Sequence, residues 1–118
     1  QAIQGMELQT KRMGLSSENI SNVDTPGYQR KLLMVTPQPP NADAFLETRV
    51  QLDRTEGVRN FDPDHPMADP DGYVTQSNVS LVPELADMRE ANRSYEANLN
   101  SFQQARTMYR SLLDVLRR

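Results

Sequence analysis

Ser80-LVPELADMREANRSYEANLNSFQQARTMYRSLLDVL-Arg117 is the stretch on which the fold turns. Ser80 is a residue type that caps helices, and Pro83 is tolerated in a first turn because the amide it lacks would have no intrahelical partner there. From Glu84 to Leu116 neither Gly nor Pro occurs. Leu85, Met88, Asn92, Tyr95, Leu99, Phe102, Arg106, Tyr109, Leu113 and Leu116 follow alternating steps of three and four, a heptad-type seam. A second line through Ala91, Tyr95, Phe102, Ala105, Tyr109, Leu112 and Leu116 widens the stripe, so the helix can touch more than one neighbour. A helix over 81–117 would span ~55 Å at ~1.5 Å per residue. A compact domain of 118 residues is only ~35 Å across. The helix is therefore predicted to project beyond any globule the other residues form, and its seam needs a partner, because propensity alone stabilises a single helix little.

The opposite end of the chain offers one. Ile3, Met6, Met13 and Ile20 lie on a helical pattern with Thr10 and Ser17 in the gaps, and Leu8 and Leu15 run beside it. This is a weaker amphipathic helix, interrupted by Gly5 and Gly14, with methionines suited to adaptable helix contacts. The pattern begins in mid-repeat at Gln1 without an initiator Met, so a trimmed N-terminus is expected. The helix has a well-specified stop: Asn19, Asn22 and Asp24 compete for backbone hydrogen bonds, and Pro26-Gly27 suits the central positions of a type II turn before Tyr28.

Between the two helices the periodicity changes. Leu46 to Asp53 alternates strictly, as a half-exposed strand does, and Gly57–Phe61 and Gly72–Thr75 read as further short strands. Tyr28–Val35 is a candidate for another, and Pro37, Pro39, Pro40 and Asn41 form a linker or loop. The expected organisation is a mainly α chain with a small β insertion: an N-terminal helix over 1–22, a turn and Pro-rich linker over 23–44, a β-rich middle over 45–77 and the long helix within 78–118. Composition agrees with a small internal core. Residues of the A, V, I, L, M, F, W, Y and C types make up 36%, and Leu, Ile, Val and Phe only 25 of 118, close to the ~20% level at which disorder becomes the default expectation.

Chemistry is sparse. No Cys, no Trp and one His remove disulfides, thiol catalysis and thiolate zinc sites. No phosphate-binding Gly loop or paired-His motif occurs, and no apolar run approaches a membrane span or a secretory leader. The net charge of −3 argues against nucleic-acid binding. It sits in the middle: residues 36–77 hold three bases and eight acids, while both flanks are near neutral. Asp62, Asp64, His65, Asp69 and Asp71 crowd into one short run that could hold a divalent cation. An EF-hand fails, since placing Gly72 sixth puts Met67 first and Asn78 twelfth. Three prolines in the run favour consecutive turns instead. The pairs Arg89/Arg93 and Arg106/Arg110 each share a helix face, either solvated or paired with the acidic middle of a neighbour.

Ser17-Glu-Asn-Ile-Ser-Asn-Val-Asp-Thr-Pro-Gly-Tyr28 resembles the N-terminal signature of bacterial flagellar rod, hook and hook-associated proteins, the axial family. Asp62 to Val74, Ser77 to Val82, Glu84 to Met88 and Ala91 to Asn98 narrow the likeness to proximal-rod subunits, and it covers the chain from about Gln9 to Arg118. The resemblance implies a structural subunit without catalysis, cofactor or metal, exported through the flagellar type III apparatus and polymerising in the periplasmic rod of the basal body. It implies coiled-coil-like terminal helices toward the inner tube and the middle segment outward. It further implies contacts with itself, other rod subunits, the membrane ring and the export gate. The expected assembly seam is Leu85, Met88, Tyr95, Leu99, Phe102, Tyr109, Leu113 and Leu116 with Met6, Met13 and Ile20; the family motif is Asn19, Asn22, Thr25, Pro26, Gly27 and Tyr28. Alternatives are a sister proximal-rod protein or, in a different class, a cation-binding module on the Asp-rich loop. A free chain with unsatisfied seams is expected to be partly disordered at its ends or to self-associate through them.

Overall fold

The computed structural model describes residues 2–41 and 46–117, and the elements run α1 (Ala2–Ser21), β1 (Lys31–Pro37), β2 (Leu46–Leu52), β3 (Arg59–Phe61), β4 (Tyr73–Thr75) and α2 (Leu81–Leu116). The expected boundary at 44/45 and the end residues Gln1 and Arg118 lie outside the described residues. Two helices flank a small strand region, as the periodicities require. α2 has 36 residues and is about 54 Å long at ~1.5 Å per residue. The described residues extend over 80 × 29 × 18 Å, so the long helix does outrun the rest of the fold.

α1 lies antiparallel along the first half of α2. Asn19 near its C-terminus meets Glu84, and Gly5 near its start faces Asn98. Gly5 does not interrupt the helix; a Cβ there would stand 2.8 Å from Asn98 Nδ2, so its missing side chain lets the two backbones approach. Gly14 is likewise helical, with nothing within 4 Å of a Cβ built on it. Ala91, fully buried, lies on the covered part of α2 between these two contacts.

The strand region is two separate antiparallel pairs among the described residues, where a single three- or four-stranded unit was expected. In the first, Lys31 pairs with Leu52 and Pro37 with Leu46, so β1 lies inside the stretch read as turn and linker, and Gln38 to Asn41 begins the connection of a hairpin. Pro37 sits at the strand end, where a missing N–H is tolerated. This hairpin lies back along α1, and Lys11 Nζ donates to Thr48 Oγ1 at 3.0 Å. In the second, Arg59 pairs with Thr75 and Phe61 with Tyr73, while Val74, 2% exposed, is part of the small apolar core.

Turns join the pieces. Tyr28 N donates to Thr25 O at 3.2 Å around Pro26 and Gly27, and Gly27 has φ of +76°, the geometry of the expected type II turn. Gly27 N donates to Thr75 O at 2.9 Å, stitching this turn to β4. Ser80 occupies the N-cap position of α2, yet its side chain makes no capping bond; its carbonyl accepts the Glu84 amide at 3.2 Å.

Candidate assembly interface

Two surfaces decide what this molecule can do, and both lie on α2. The first is the junction with α1. Asn19, 1% exposed, uses its whole hydrogen-bonding capacity: Nδ2 donates to Lys31 O (3.0 Å) and Glu84 Oε1 (2.7 Å), and Oδ1 accepts from Tyr28 Oη and Lys31 N (both 2.9 Å). Glu84, also 1% exposed, takes its second bond from Arg30 Nε at 2.7 Å, and Arg30 Nη2 reaches Asp87 Oδ2 at 3.0 Å. Asn78 holds the adjoining loops: its Oδ1 accepts from Arg30 N, and its Nδ2 donates to the carbonyls of Asp53 and Thr55 at 2.8 Å. Among the described residues no buried side-chain nitrogen or oxygen is left without a partner. The seam is thus specified by polar groups whose bonds exist in one register only, since sliding α1 would strand Asn19 and Glu84.

Titration follows the same geometry. Burial, then the nearby Glu18 carboxylate, pushes the Tyr28 phenol above its ordinary value. The hydrogen bond to Glu18 raises the Lys31 ammonium. Hydrogen bonds from Thr55, its backbone amide first, hold Asp53 below the usual carboxylate range.

The second surface lies on the C-terminal part of α2. Beyond Phe102, which is half-buried, α2 runs on with Met108 (72% exposed), Tyr109 (63%), Leu112, Val115 and Leu116 open to solvent. At ~100° per residue, Phe102, Ala105, Tyr109 and Leu116 prolong the face that Ala91 and Tyr95 turn toward α1. The intramolecular seam therefore continues as an uncovered apolar stripe about 20 Å long. Smaller apolar grooves flank α1: one of ≈ 370 Å³ lined by Leu15, Leu33 and Val50, another of ≈ 390 Å³ lined by Ile3, Met6 and Tyr95.

The expected seam residues divide accordingly. Met88, Tyr95, Leu99 and Phe102 are half-buried, as are Met6, Met13 and Ile20; Tyr109 and Leu116 are exposed, Leu113 is half-buried, and Leu85 is 40% exposed. In the motif, Asn19 and Tyr28 meet, and Asn22 Oδ1 accepts from Thr25 Oγ1 at 3.0 Å, while Pro26 and Gly27 shape the turn. Glu84, Arg30 and Asn78 were not among the expected site residues. The available signal was Glu84 itself, a carboxylate one step before the first seam leucine and on the face that Met88 and Ala91 continue.

The Asp-rich run closes the β3–β4 hairpin by turns. Asp62 N donates to Gly72 O and Gly72 N to Asp69 O (2.9 Å each), His65 Nδ1 accepts the Met67 amide, and Asp69 accepts the Tyr73 amide at 2.9 Å while pairing with Arg59. No three His, Asp or Glu side chains converge on a common point among the described residues, so the cation-binding alternative loses its geometric basis.

Comparison with known proteins agrees with this architecture. The flagellar basal body rod FlgEFG protein C-terminal family matches residues 71–115, which take in β4 and nearly all of α2. The flagellar basal-body rod protein FlgC of Agrobacterium fabrum is 39% identical over 96% of this chain and 88% of its own length. FlgC of Borreliella burgdorferi is 31% identical over 95% of the chain and 91% of its own, and FlgC of Aquifex aeolicus 35% over 83% and 79%. With a motif-bearing helix stop, a latched helix pair and an uncovered apolar extension, all within this likeness, the chain belongs to the family of flagellar basal-body rod proteins FlgC and is a structural subunit of the rod.

Proposed function

We propose that this chain enters the proximal rod through the bare half of α2. The observation that carries this is the continuation of a half-buried intramolecular seam into an exposed apolar stripe at Tyr109, Leu112 and Leu116. Apolar side chains on a helix that its own fold does not cover are stabilised by burial against a neighbour, at ~25 cal/mol per Å². Contacts between unlike surfaces that do not close on themselves build helical filaments. Met88, Tyr95, Leu99, Phe102, Leu113, Met6, Met13 and Ile20 serve the same assembly by shaping the helix pair that carries the stripe.

The partners are other copies and other rod subunits, with the membrane ring and export gate at the base; the chain reaches the periplasm through the flagellar type III apparatus. The role is mechanical, and no step of it calls for catalysis, a metal or a cofactor. Tyr109→Asp and Leu116→Asp test it in cells. Both variants should be secreted and keep the wild-type circular dichroism of the purified protein, because the residues are exposed, yet the cells should be non-motile and lack rods. Normal swimming by both would sink the assignment of this surface.

A further inference from the structure

The two glycines of α1 differ in what surrounds them. Gly5 lets α1 approach α2, since a Cβ there would stand 2.8 Å from Asn98 Nδ2, but a Cβ on Gly14 would meet nothing within 4 Å. Glycine inside a helix is less favourable than alanine, and it is used where a backbone must be approached closely. No contact among the described residues accounts for Gly14. It opens onto the groove of ≈ 370 Å³ walled by Leu15, Leu33 and Val50. Lys11 and Arg49 also line this groove, and neither forms an ion pair among the described residues. The helical wall lies ~14–20 Å along α1 from Ala2, beside the covered half of α2. The groove is thus apolar inside and basic at its rim, with no acid among the described residues that line it.

The turns joining β3 to β4 carry the complementary surface. Met67 is 60% exposed, and Phe61 at their start is 65% exposed although its ring packs edge-on against Tyr73 at 5.3 Å. Residues 62–72 hold four acids and no Lys or Arg. Asp69 is paired with Arg59, whereas Asp62, Asp64 and Asp71 are exposed, and none of these three forms an ion pair among the described residues. A pliable thioether side chain set among carboxylates suits an apolar groove with a basic rim.

We propose that the β3–β4 turns of one copy dock in the groove of a second copy, with Met67 against Leu15, Leu33 and Val50, the arriving chain over Gly14, and Asp62 and Asp64 facing Lys11 and Arg49. This contact goes beyond the reading of α2 given above and uses none of the exposed end of that helix. Burial of the apolar side chains contributes affinity, and the opposed charges set register and reject other partners. Turn and groove are unlike surfaces of one chain, so each copy that docks brings a free groove or a free turn for the next. The contact also accounts for Gly14, because a side chain there would occupy the space that the turn fills.

The absence of native cysteine makes the test direct. Purified Met67→Cys and Val50→Cys chains, mixed and oxidised, should give mainly the mixed 67–50 disulfide. Asp62→Lys with Asp64→Lys in the Met67→Cys chain should lower that product at least about tenfold, since like charges then meet. Adding Lys11→Glu and Arg49→Glu to the Val50→Cys chain should restore it. Gly14→Leu in the Val50→Cys chain should also lower the product, while its urea midpoint stays at or above the parent's, because the open space around Gly14 accepts the side chain. Tyr109→Asp in both chains should leave the yield unchanged, which separates this contact from the α2 surface. Predominant 67–67 or 50–50 products, no mixed product, indifference to charge reversal, or undiminished cross-linking by Gly14→Leu would each overturn the docking. Loss of the product on Tyr109→Asp alone would do the same.

Discussion

The two halves of α2 are built from one heptad pattern and meet opposite fates. Over Glu84 to Phe102 the helix is covered by α1, with Ala91 fully buried and Glu84 bonded to both Asn19 and Arg30. Over the following residues to Leu116 the same apolar spacing faces solvent. The covered half buries a small apolar residue, Ala91, beside the bonded Glu84, while the bare half carries large apolar ones. Polar groups tolerate burial only with every bond made, so they fix one register; apolar groups accept any surface of suitable shape. The first arrangement suits a pairing of one fixed register; the second, under the function proposed above, suits an assembly between chains.

Breaking the covered half should have the largest effect on folding. Asn19→Ala removes four hydrogen bonds and leaves the Lys31 amide and carbonyl, the Tyr28 hydroxyl and Glu84 short of partners. Each unsatisfied buried group costs ~1–3 kcal/mol, so a loss of about 3–5 kcal/mol is expected by urea unfolding, a large share of a typical domain's ~5–15 kcal/mol. In contrast, Tyr109→Asp in the bare half should stay within about 0.5 kcal/mol of the parent chain. If the two variants unfold at the same urea concentration, the division of α2 into a folding half and an assembly half is wrong.

The turn that delivers Tyr28 and Arg30 to the junction comes next. Gly27, at φ of +76°, is where an L side chain is strained, so Gly27→Ala should cost ~1–2 kcal/mol. Gly14→Ala runs the other way: it sits inside α1 with open space around its Cβ, and helix propensity favours Ala by ~0.8–1.0 kcal/mol. A gain for Gly14→Ala beside a loss for Gly27→Ala, both read from urea midpoints, would separate helix stability from turn geometry as sources of the junction's strength. Two losses would mean that the groove beside Gly14 is tighter than its geometry indicates.

Much of this division can be read along the chain, and its limits are physical. Steps of three and four, a span free of Gly and Pro, and simple length arithmetic suffice for a helix that outruns its fold. Pro26-Gly27 suffices for the turn, because φ above zero is a local requirement. The junction is different. Glu84 and Asn19 are 65 positions apart, and only the antiparallel arrival of α1 turns their polarity into a mutual requirement. Within the seam only Leu85 misses the buried face: it stands one residue, ~100° of rotation, from Glu84, which takes the interior position because apolar periodicity does not register a satisfied carboxylate as an interior group. The strands suffered similarly: their short runs were visible, but pairing into two hairpins depends on which loop closes on which.

The smallest effect expected lies at the β3–β4 tip, and it contrasts solvated with buried electrostatics. The Tyr73 amide bond to Asp69, and then its Arg59 partner, hold the Asp69 carboxyl below the ordinary value of 3.8. A carboxylate whose pKa is lower folded than unfolded contributes stability that is present in full above the unfolded value. That contribution is lost as pH falls through the folded one. Acid should therefore loosen the tip only below about pH 3.8, and only slightly, since the pair is solvent-exposed. The Tyr73 amide proton reports this directly: its chemical shift should titrate with a midpoint below 3.8, and Asp69→Asn should abolish the transition. A midpoint at or above 3.8 would show that the tip is not held by Asp69. It would then have to keep its shape through the Phe61–Tyr73 packing and the backbone turn bonds, such as Asp62 N to Gly72 O, while the Asn19–Glu84 junction keeps its own order through bonds shielded from solvent.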